Sequence, residues 1–296
     1  MFSLPPIPEG AAYPRSTGSC ELRFEDVAQD GRIDLTAIPQ CLDTLWGDIF
    51  RSPEIVEPLR RDGILPILSR LVVVGSEESF PTAVKLNTTG TWDMSHSVDG
   101  RGEINRLFLN MYAQVKGKRG RTYGFDAPGR GELVVAGRVF AEHVFTRPFG
   151  SAENRRVLRL PLEGREVPPM SYTQIPLESL AELPEGAAPL EDGLRPDGVV
   201  LVLGPMHTDS NQHVNSLAYP RIFEEAVLRR LMELGRSPLV LARGFDIAWR
   251  KPFFMGDPLR IMLQLAEYQG DILAVGAFVA EGQWEKPRSY IRMLLK

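Results

Sequence analysis

One long amphipathic helix followed directly by four strand-like segments is the feature that most constrains the fold of this chain. In the run YPRIFEEAVLRRLMELG, apolar side chains recur at the spacing of a helix with one buried face: Ile222, Phe223, Ala226, Val227, Leu231 and Leu234. Pro220 suits the first turn of a helix, where its missing N–H costs least, and Gly235 suits the position just past the end. The sequence therefore predicts a helix that stops at Gly235.

The segments around this helix have the length and apolar content of strands. Those after it read ARGFDIAWRKPF, PLRIMLQLAEY, DILAVGAFVAEG and RSYIRMLLK, with a Gly256-Asp257 turn after the first. A further short strand, GVVLVLGP, precedes the helix at residues 198–205. The carboxy-terminal third is thus predicted to be one helix packed against an antiparallel meander.

The amino-terminal half runs in the same order. CELRFEDV is predicted to be a strand and TAIPQCLDTLWGDIF, residues 36–50, a helix. Four predicted strands then follow: SRLVVVGSEESF, AVKLNTTGTWDMS, EINRLFLNMYAQV and ELVVAGRVFAEHVF. The shared order and spacing indicate an internal repeat; two unrelated α+β modules are the alternative.

These elements predict an α+β chain with three parts. The first domain spans residues 1–147, a Pro- and Glu-rich linker spans 148–196, and the second domain spans 197–296. A repeat of this kind can bury the sheet edge of one half against the other, as a homodimer would, so the two domains are expected to form a pseudo-dimer. A homodimer of two such chains stays open, because the internal repeat could satisfy the pairing alone.

Composition excludes several classes of function. A hydrophobic fraction of 43% in 296 residues supplies a core, while a net charge of −4 gives no signal for nucleic acid or an anionic membrane. No apolar run approaches the roughly 18 residues that a membrane span needs, and MFSLPPIPEG does not resemble a signal peptide. Cys20 and Cys41 lack metal-ligand spacing, and no phosphate-binding glycine loop is present. We therefore expect a cytoplasmic protein without metal or cofactor.

The segment TDSNQHVNSLAY, residues 208–219, concentrates polar side chains immediately before the long helix. Taken singly, Asp209 and Asn215 are ordinary turn and N-cap residues. Together, a carboxylate, amides and an imidazole at the start of a helix supply a base, hydrogen-bond donors and unpaired backbone N–H groups. The combination favours a site over a structural turn.

A long helix wrapped by an antiparallel sheet and preceded by D-x-N-x-H-V-N resembles the hot-dog fold. The tandem arrangement resembles the acyl-acyl-carrier-protein thioesterases of plants and bacteria. The resemblance implies that Asp209, Asn211 and His213 are catalytic. We expect substrate to contact the residues where the helix begins: Val214, Asn215, Ser216 and Tyr219. This chain has WRKPF, residues 249–253, where that family tends to place a Glu-Cys pair, which leaves a second acid unassigned.

Hydrolysis of a thioester needs a nucleophile or base, a donor for the developing oxyanion, and exclusion of competing water. Asp209 can attack the carbonyl or deprotonate a water, His213 can relay protons, and Asn211 can orient water or the thioester oxygen. The N–H groups of residues 214–218, in the turn that enters the helix, are predicted to hold the oxyanion. The substrate would be an acyl thioester of acyl carrier protein or coenzyme A.

Two features of the amino-terminal half bear on this hypothesis. In the repeat alignment, Glu77 and Glu78 fall opposite Pro252 and Phe253, so Glu77 is a candidate acid for the second copy's site; a solvated strand-end acid is the alternative. The basic run KGKRGR, residues 116–121, can contact an acidic carrier protein or the phosphates of coenzyme A. His207, His96 and His143 lie off the pattern and are expected to be structural or bystanders.

Two other functions stay open from the sequence. One is a hot-dog dehydratase or cyclase that acts on a tethered acyl chain, for which Glu224 and Glu225 supply helix acids. The other is a non-catalytic acyl-binding pseudo-dimer. The absence of a GxSxG elbow argues against the other thioesterase fold.

Overall fold

The structure is a computed structural model that describes residues 4–6, 15–123 and 128–296. Apart from residues 4–6, the amino-terminal segment MFSLPPIPEG lies outside them. The described residues up to Gln174 form one compact unit, and those from Ile175 to Lys296 form a second. The boundary lies inside the predicted linker 148–196, so that each unit includes part of this passage.

The first unit is a sheet of antiparallel long strands, to which one short strand is added in parallel, with helices against one face. Its strands are β1 (Arg15–Glu21), β2 (Leu65–Gly75), β3 (Lys85–Val98), β4 (Ile104–Lys118), β5 (Leu133–Thr146) and the short β6 (Met170–Ser171). The five long strands lie in the order β1-β3-β4-β5-β2. Helix α1 (Leu42–Phe50) packs against this sheet, and α2 (Pro53–Arg61) follows it.

The prediction of one helix over residues 36–50 was wrong in its first half. Residues Leu35–Cys41 form a 3-10 helix that contains Pro39, and the α-helix begins only at Leu42. Proline has no N–H for a helical hydrogen bond and its ring clashes with the preceding turn, so the α-helix starts beyond it. CELRFEDV is likewise only partly a strand, because β1 ends at Glu21 and a 3-10 helix covers Phe24–Asp26.

The second unit contains the helix and meander that the carboxy-terminal pattern predicts. Helix α3 spans Ala218–Glu233, and Gly235 has a φ of 68°, as expected for the residue just past a helix end. Strands β10 (Ala242–Trp249), β11 (Pro258–Tyr268), β12 (Asp271–Ala280) and β13 (Ser289–Leu295) follow. Only Leu201–Val202 of the predicted strand 198–205 forms a strand, β9, which pairs with β11 as do β7 (Ala188–Pro189) and β8 (Arg195–Pro196).

The two units share one topology, which confirms the predicted tandem repeat. In the second unit the strand after the helix, β10, pairs with the last strand, β13, and the order is β10-β13-β12-β11. In the first unit β2 likewise pairs with the last long strand, β5. The strand before each helix, β1 or β9, pairs with the second long strand after it, β3 or β11. Chance similarity between unrelated modules does not explain this shared pairing.

Each helix lies close to its sheet because a strand glycine makes room for a helix side chain. A Cβ added at Gly276 of β12 would lie 2.6 Å from the ring of Phe223 in α3. One added at Gly90 of β3 would lie 3.0 Å from Leu45 of α1. Phe223 and Leu45 are both fully buried, so these contacts hold each helix on its sheet.

A row of buried polar side chains crosses the face of the first sheet opposite α1. Asp93, Asn110, Glu142 and Arg70 are successive neighbours across β3, β4, β5 and β2. Glu142 accepts hydrogen bonds from Ser69, Tyr172 and Gln174. In contrast, Asp93 is 4% exposed and neither of its carboxylate oxygens accepts a hydrogen bond from the described residues. Burial raises the pKa of Asp93 to about 6, and the neighbouring Asn110 offsets only part of this effect.

We expect Asp93→Asn to stabilise the protein at about pH 8 by about 2–3 kcal/mol, measured by urea unfolding. The pKa of Asp93 is higher in the folded protein than the unfolded value of about 3.9. The folded state therefore loses stability as the pH rises through about 6, and the uncharged amide avoids this loss. At about pH 3.5 the two proteins should be nearly equal, since Asp93 is protonated in both states.

Other groups titrate alike in both proteins, so their contributions cancel when the two free energies of unfolding are subtracted. One such group is His143, whose burial lowers its pKa to about 4. An Asp93→Asn protein that is no more stable than the parent at about pH 8 would contradict the expected cost of this buried carboxylate.

Candidate active site

Residues 208–214 form a tight turn that leads into α3. Thr208 pairs with Val214 in an isolated β-bridge, and the N–H of Asp209 donates to the carbonyl of His213 at 3.1 Å. Gln212 has a φ of 66°, in the left-handed region that a residue with a Cβ seldom adopts. The turn thus brings the two ends of the D-x-N-x-H motif together.

The carboxylate of Asp209 organises this turn. Its Oδ1 accepts the N–H of Asn211 at 2.9 Å, and its Oδ2 accepts the side-chain amide of Asn215 at 3.3 Å. Because a carboxylate offers about four acceptor positions, each oxygen can still accept a further hydrogen bond. The side chain is 25% exposed, so water can reach it. The same group can therefore hold the loop and act on a water.

His213 and Asn211 lie differently relative to Asp209. The Nδ1 of His213 is 3.9 Å from Asp209 Oδ1, beyond hydrogen-bond distance but close enough for a small rotation to join them. The backbone of His213 pairs with Phe254. Asn211 is exposed, so the structure brings Asp209 and His213 together and directs Asn211 to the surface.

Most of the backbone N–H groups predicted to hold an oxyanion already have partners. Those of Val214 and Asn215 donate to the carbonyls of Phe253 and His207, both at 2.8 Å. Leu217 and Ala218 donate to the side-chain and main-chain oxygens of Asn215. Among residues 214–218, only the N–H of Ser216 has no acceptor within the described part of the chain. The predicted set of donors therefore reduces to Ser216.

Tyr219 is a core residue in this structure. It is 2% exposed, and its ring packs edge-on against Phe278 at a centroid distance of 5.1 Å. Its hydroxyl accepts the N–H of Phe253 at 3.3 Å, and burial raises its pKa to about 12. Tyr219 thus joins the start of α3 to the segment whose carbonyl also binds Val214. These contacts of Tyr219 stabilise the loop, and this role does not require a contact with substrate.

Glu77 and the basic run 116–121 both belong to the first unit, and each forms ion pairs there with other residues. The carboxylate of Glu77 lies 2.6 Å from Arg32 Nη2, and that of Glu78 lies 2.6 Å from Arg119 Nε. Arg119, in the run 116–121, also contacts Glu132 at 3.1 Å. Glu77 and Arg119 thus take part in local surface pairs.

A cleft of about 420 Å³ lies beside the first turns of α3. Its walls come from three short stretches of the second unit: Leu201, Met206, His207, Thr208, Asn215, Leu217, Ala218, Arg221, Ile222 and Glu225. Asn215 connects the cleft to the motif, because its amide also binds Asp209. His207, expected to be a bystander, lines the cleft; its position two residues before Asp209 was the sequence signal that could have identified it.

Within the described part of the chain, no three His, Cys, Asp or Glu side chains are placed to bind a metal ion. None of the described helices has both the length and the apolar character that crossing a membrane requires.

Comparisons with known proteins identify the fold. No protein-family model and no curated protein sequence matched the chain. An acyl-ACP thioesterase from Bacteroides thetaiotaomicron has a similar structure, with a TM-score of 0.57, 14% identity, and coverage of 95% of this chain and 98% of that one. The 12:0-ACP thioesterase from Umbellularia californica has a TM-score of 0.59 at 14% identity, covering 95% and 94%.

A Lactobacillus plantarum protein provisionally named an oleoyl thioesterase has a TM-score of 0.61 at 10% identity, covering 97% of both chains. At such low identities the likeness establishes the fold, and it extends over both units. The chain therefore has the tandem hot-dog fold that these three proteins share.

Proposed function

We propose that this protein hydrolyses an acyl thioester carried on acyl carrier protein or coenzyme A. The observation that carries the proposal is the position of Asp209, whose partly exposed carboxylate lies 3.9 Å from His213 at the entrance to α3. The fold supports it, because solved structures that match nearly the whole chain are named as thioesterases.

The geometry suits a reaction in which Asp209 acts on water. The carboxylate removes a proton from a water whose oxygen forms the new bond to the thioester carbon. The N–H of Ser216 is available to stabilise the negative carbonyl oxygen. When the carbon–sulfur bond breaks, the thiolate takes up a proton, for which His213 is the nearby relay. The products are a carboxylic acid and a thiol.

Direct attack by Asp209 on the carbonyl is the other route, and isotope labelling combined with trapping of an acyl–enzyme separates the two. Under single-turnover conditions in ¹⁸O-water, a base mechanism places the label in the released acid. A nucleophilic mechanism leaves the label in the carboxylate of Asp209 when water opens the acyl–enzyme anhydride by attack at the carbonyl of Asp209. Attack at the acyl carbon would instead label the product, so the enzyme must also be tested for a trapped acyl adduct.

Release of free thiol from purified full-length protein tests the proposal. We expect turnover of acyl-coenzyme A or acyl carrier protein for at least one class among short, medium and long acyl chains. Formation of an enoyl product without thiol would instead identify a dehydratase. Tight binding of acyl carrier protein without turnover of any chain would identify an acyl-binding protein. A cytoplasmic location and a homodimer stay predictions.

A further inference from the structure

The loop 147–155, which follows β5 in the first unit, is closed by its own hydrogen bonds. At its ends, the N–H of Arg147 donates to the carbonyl of Arg155 at 2.9 Å, and within it the N–H of Gly150 donates to the carbonyl of Arg147 at 3.1 Å. The side chain of Arg155 crosses the loop, where its Nε donates to the carbonyl of Gly150 at 3.2 Å. The loop therefore has a defined conformation, and this fixes the residues that it displays.

Phe149 lies in this loop and is 94% exposed. A phenyl ring in water loses the free energy that its burial would gain. Single exposed apolar residues are nevertheless common on protein surfaces, so the surroundings of Phe149 decide what its exposure means.

Three arginines beside Phe149 line a cleft of about 220 Å³: Arg106 from β4, and Arg155 and Arg156 where the loop ends. All three are exposed, and none forms an ion pair with a carboxylate of the described residues. The Nε of Arg155 donates to the carbonyl of Gly150, and that of Arg156 donates to the carbonyl of Asn105 at 2.8 Å. Neutral carbonyls orient these guanidinium groups without cancelling their charge, so this arginine cleft stays positive.

The arginine cleft and Phe149 together match the headgroup region of an anionic phospholipid bilayer. A guanidinium group can bind a phosphate through two parallel N–H groups. Each basic side chain near an anionic lipid surface strengthens binding by about fivefold. An exposed aromatic ring beside such charges can enter the boundary between headgroups and acyl chains. Glu153, the one acid in the loop 147–155, offsets only part of the charge of the three arginines.

An acidic protein is the other class of partner that carries the required charge. Phe149 can bury only about 200 Å², a small part of the roughly 1,000 Å² that a stable protein interface needs. A bilayer needs no shaped counterpart, so one aromatic ring and a cluster of charges suffice. The net charge of −4 does not reveal this surface, because it sums over the whole chain.

We propose that the loop 147–155 and the arginine cleft bind the surface of an anionic phospholipid bilayer. A lipid phosphate lies in the arginine cleft, and Phe149 inserts among the headgroups. This binding is peripheral and reversible. It does not depend on the proposed hydrolysis, because none of these side chains belongs to the motif loop that contains Asp209.

Sedimentation of the full-length protein with lipid vesicles, without substrate, tests the proposal. At low salt we expect binding to vesicles of phosphatidylglycerol and phosphatidylcholine, and little binding to phosphatidylcholine alone. Phe149→Ser should weaken binding by at least about tenfold and Arg106→Gln by about fivefold. Both side chains are exposed, and that of Arg106 makes no hydrogen bond with the described residues, so thermal stability should be unchanged.

Two matched substitutions in the second unit serve as controls. Leu239→Ser removes an apolar side chain that is 82% exposed, and Lys286→Gln removes an exposed positive charge. Neither should change binding to the vesicles. If a control weakens binding as much as the substitution that it matches, the assignment of binding to this loop and cleft is overturned.

Phe149→Trp reports insertion directly. We expect its emission to shift to shorter wavelength with anionic vesicles and to be quenched by brominated acyl chains, after subtraction of the signal from the four native tryptophans in the parent protein. Absence of binding to anionic vesicles would overturn the proposal. Binding without this shift, or equally strong binding to polyglutamate, would also overturn it, because the surface would then recognise negative charge alone, as on an acidic protein.

Discussion

Replacing Asp209 by asparagine is expected to lower kcat for thioester hydrolysis by at least about 100-fold, with a small effect on KM. An amide cannot accept the proton of the attacking water, while its size and its ability to accept the N–H of Asn211 are retained. The measurement is thiol release at saturating substrate, with the thermal stability of the same protein recorded beside it. Unchanged turnover would refute the assignment of Asp209.

A double substitution controls for the structural role of Asp209. In Asp209→Asn alone, two amides face each other, because Oδ2 of Asp209 normally accepts from Asn215. Adding Asn215→Asp restores one donor and one acceptor, and the new carboxylate can still accept the N–H of Leu217. We expect the pair to regain stability but not activity. Recovery of activity would mean that loop geometry, rather than the position of the acid, limits turnover.

The loop of the candidate site could be predicted from the sequence, whereas the hydrogen bonds that the loop makes could not. The order of polar residues before α3 is a local property, so residues 208–219 could be identified directly. The partners that occupy the N–H groups of Val214 and Asn215 are carbonyls of Phe253 and His207. Phe253 comes from a distant segment, and its approach depends on tertiary structure. The same holds for the place of His207 on the cleft wall.

The fold was predictable where apolar periodicity is uninterrupted. Helix α3 and strands β10 to β13 follow their sequence patterns closely, because each presents one continuous apolar face. The passage 148–196 has weak apolar periodicity, so its conformation depends on tertiary contacts with the rest of the chain. In the second unit its later part lies along β11, through the two-residue strands β7 and β8.

The passage 148–196 has no hydrophobic core of its own. An ion-pair cluster attaches its later part to α3. Arg230 of α3 is 5% exposed; its Nη1 contacts Glu191 and its Nη2 donates to the carbonyl of Pro196 at 2.8 Å. The side chain of Glu191 is 3% exposed, and its other oxygen accepts the N–H of Leu265 in β11 at 3.1 Å. The buried ion pair of Arg230 and Glu191 thus connects α3, the passage 148–196 and β11.

Arg230→Met is expected to reduce the free energy of unfolding by about 3–5 kcal/mol, because it leaves the carboxylate of Glu191 buried without its partner. Adding Glu191→Met removes that charge, so the double variant should recover most of the loss in urea unfolding. Arg236→Met is the control, since Arg236 and its partner Glu267 are 40% and 52% exposed and should contribute less than about 1 kcal/mol. A double variant as unstable as Arg230→Met would show that Arg230 acts by packing rather than by neutralising Glu191.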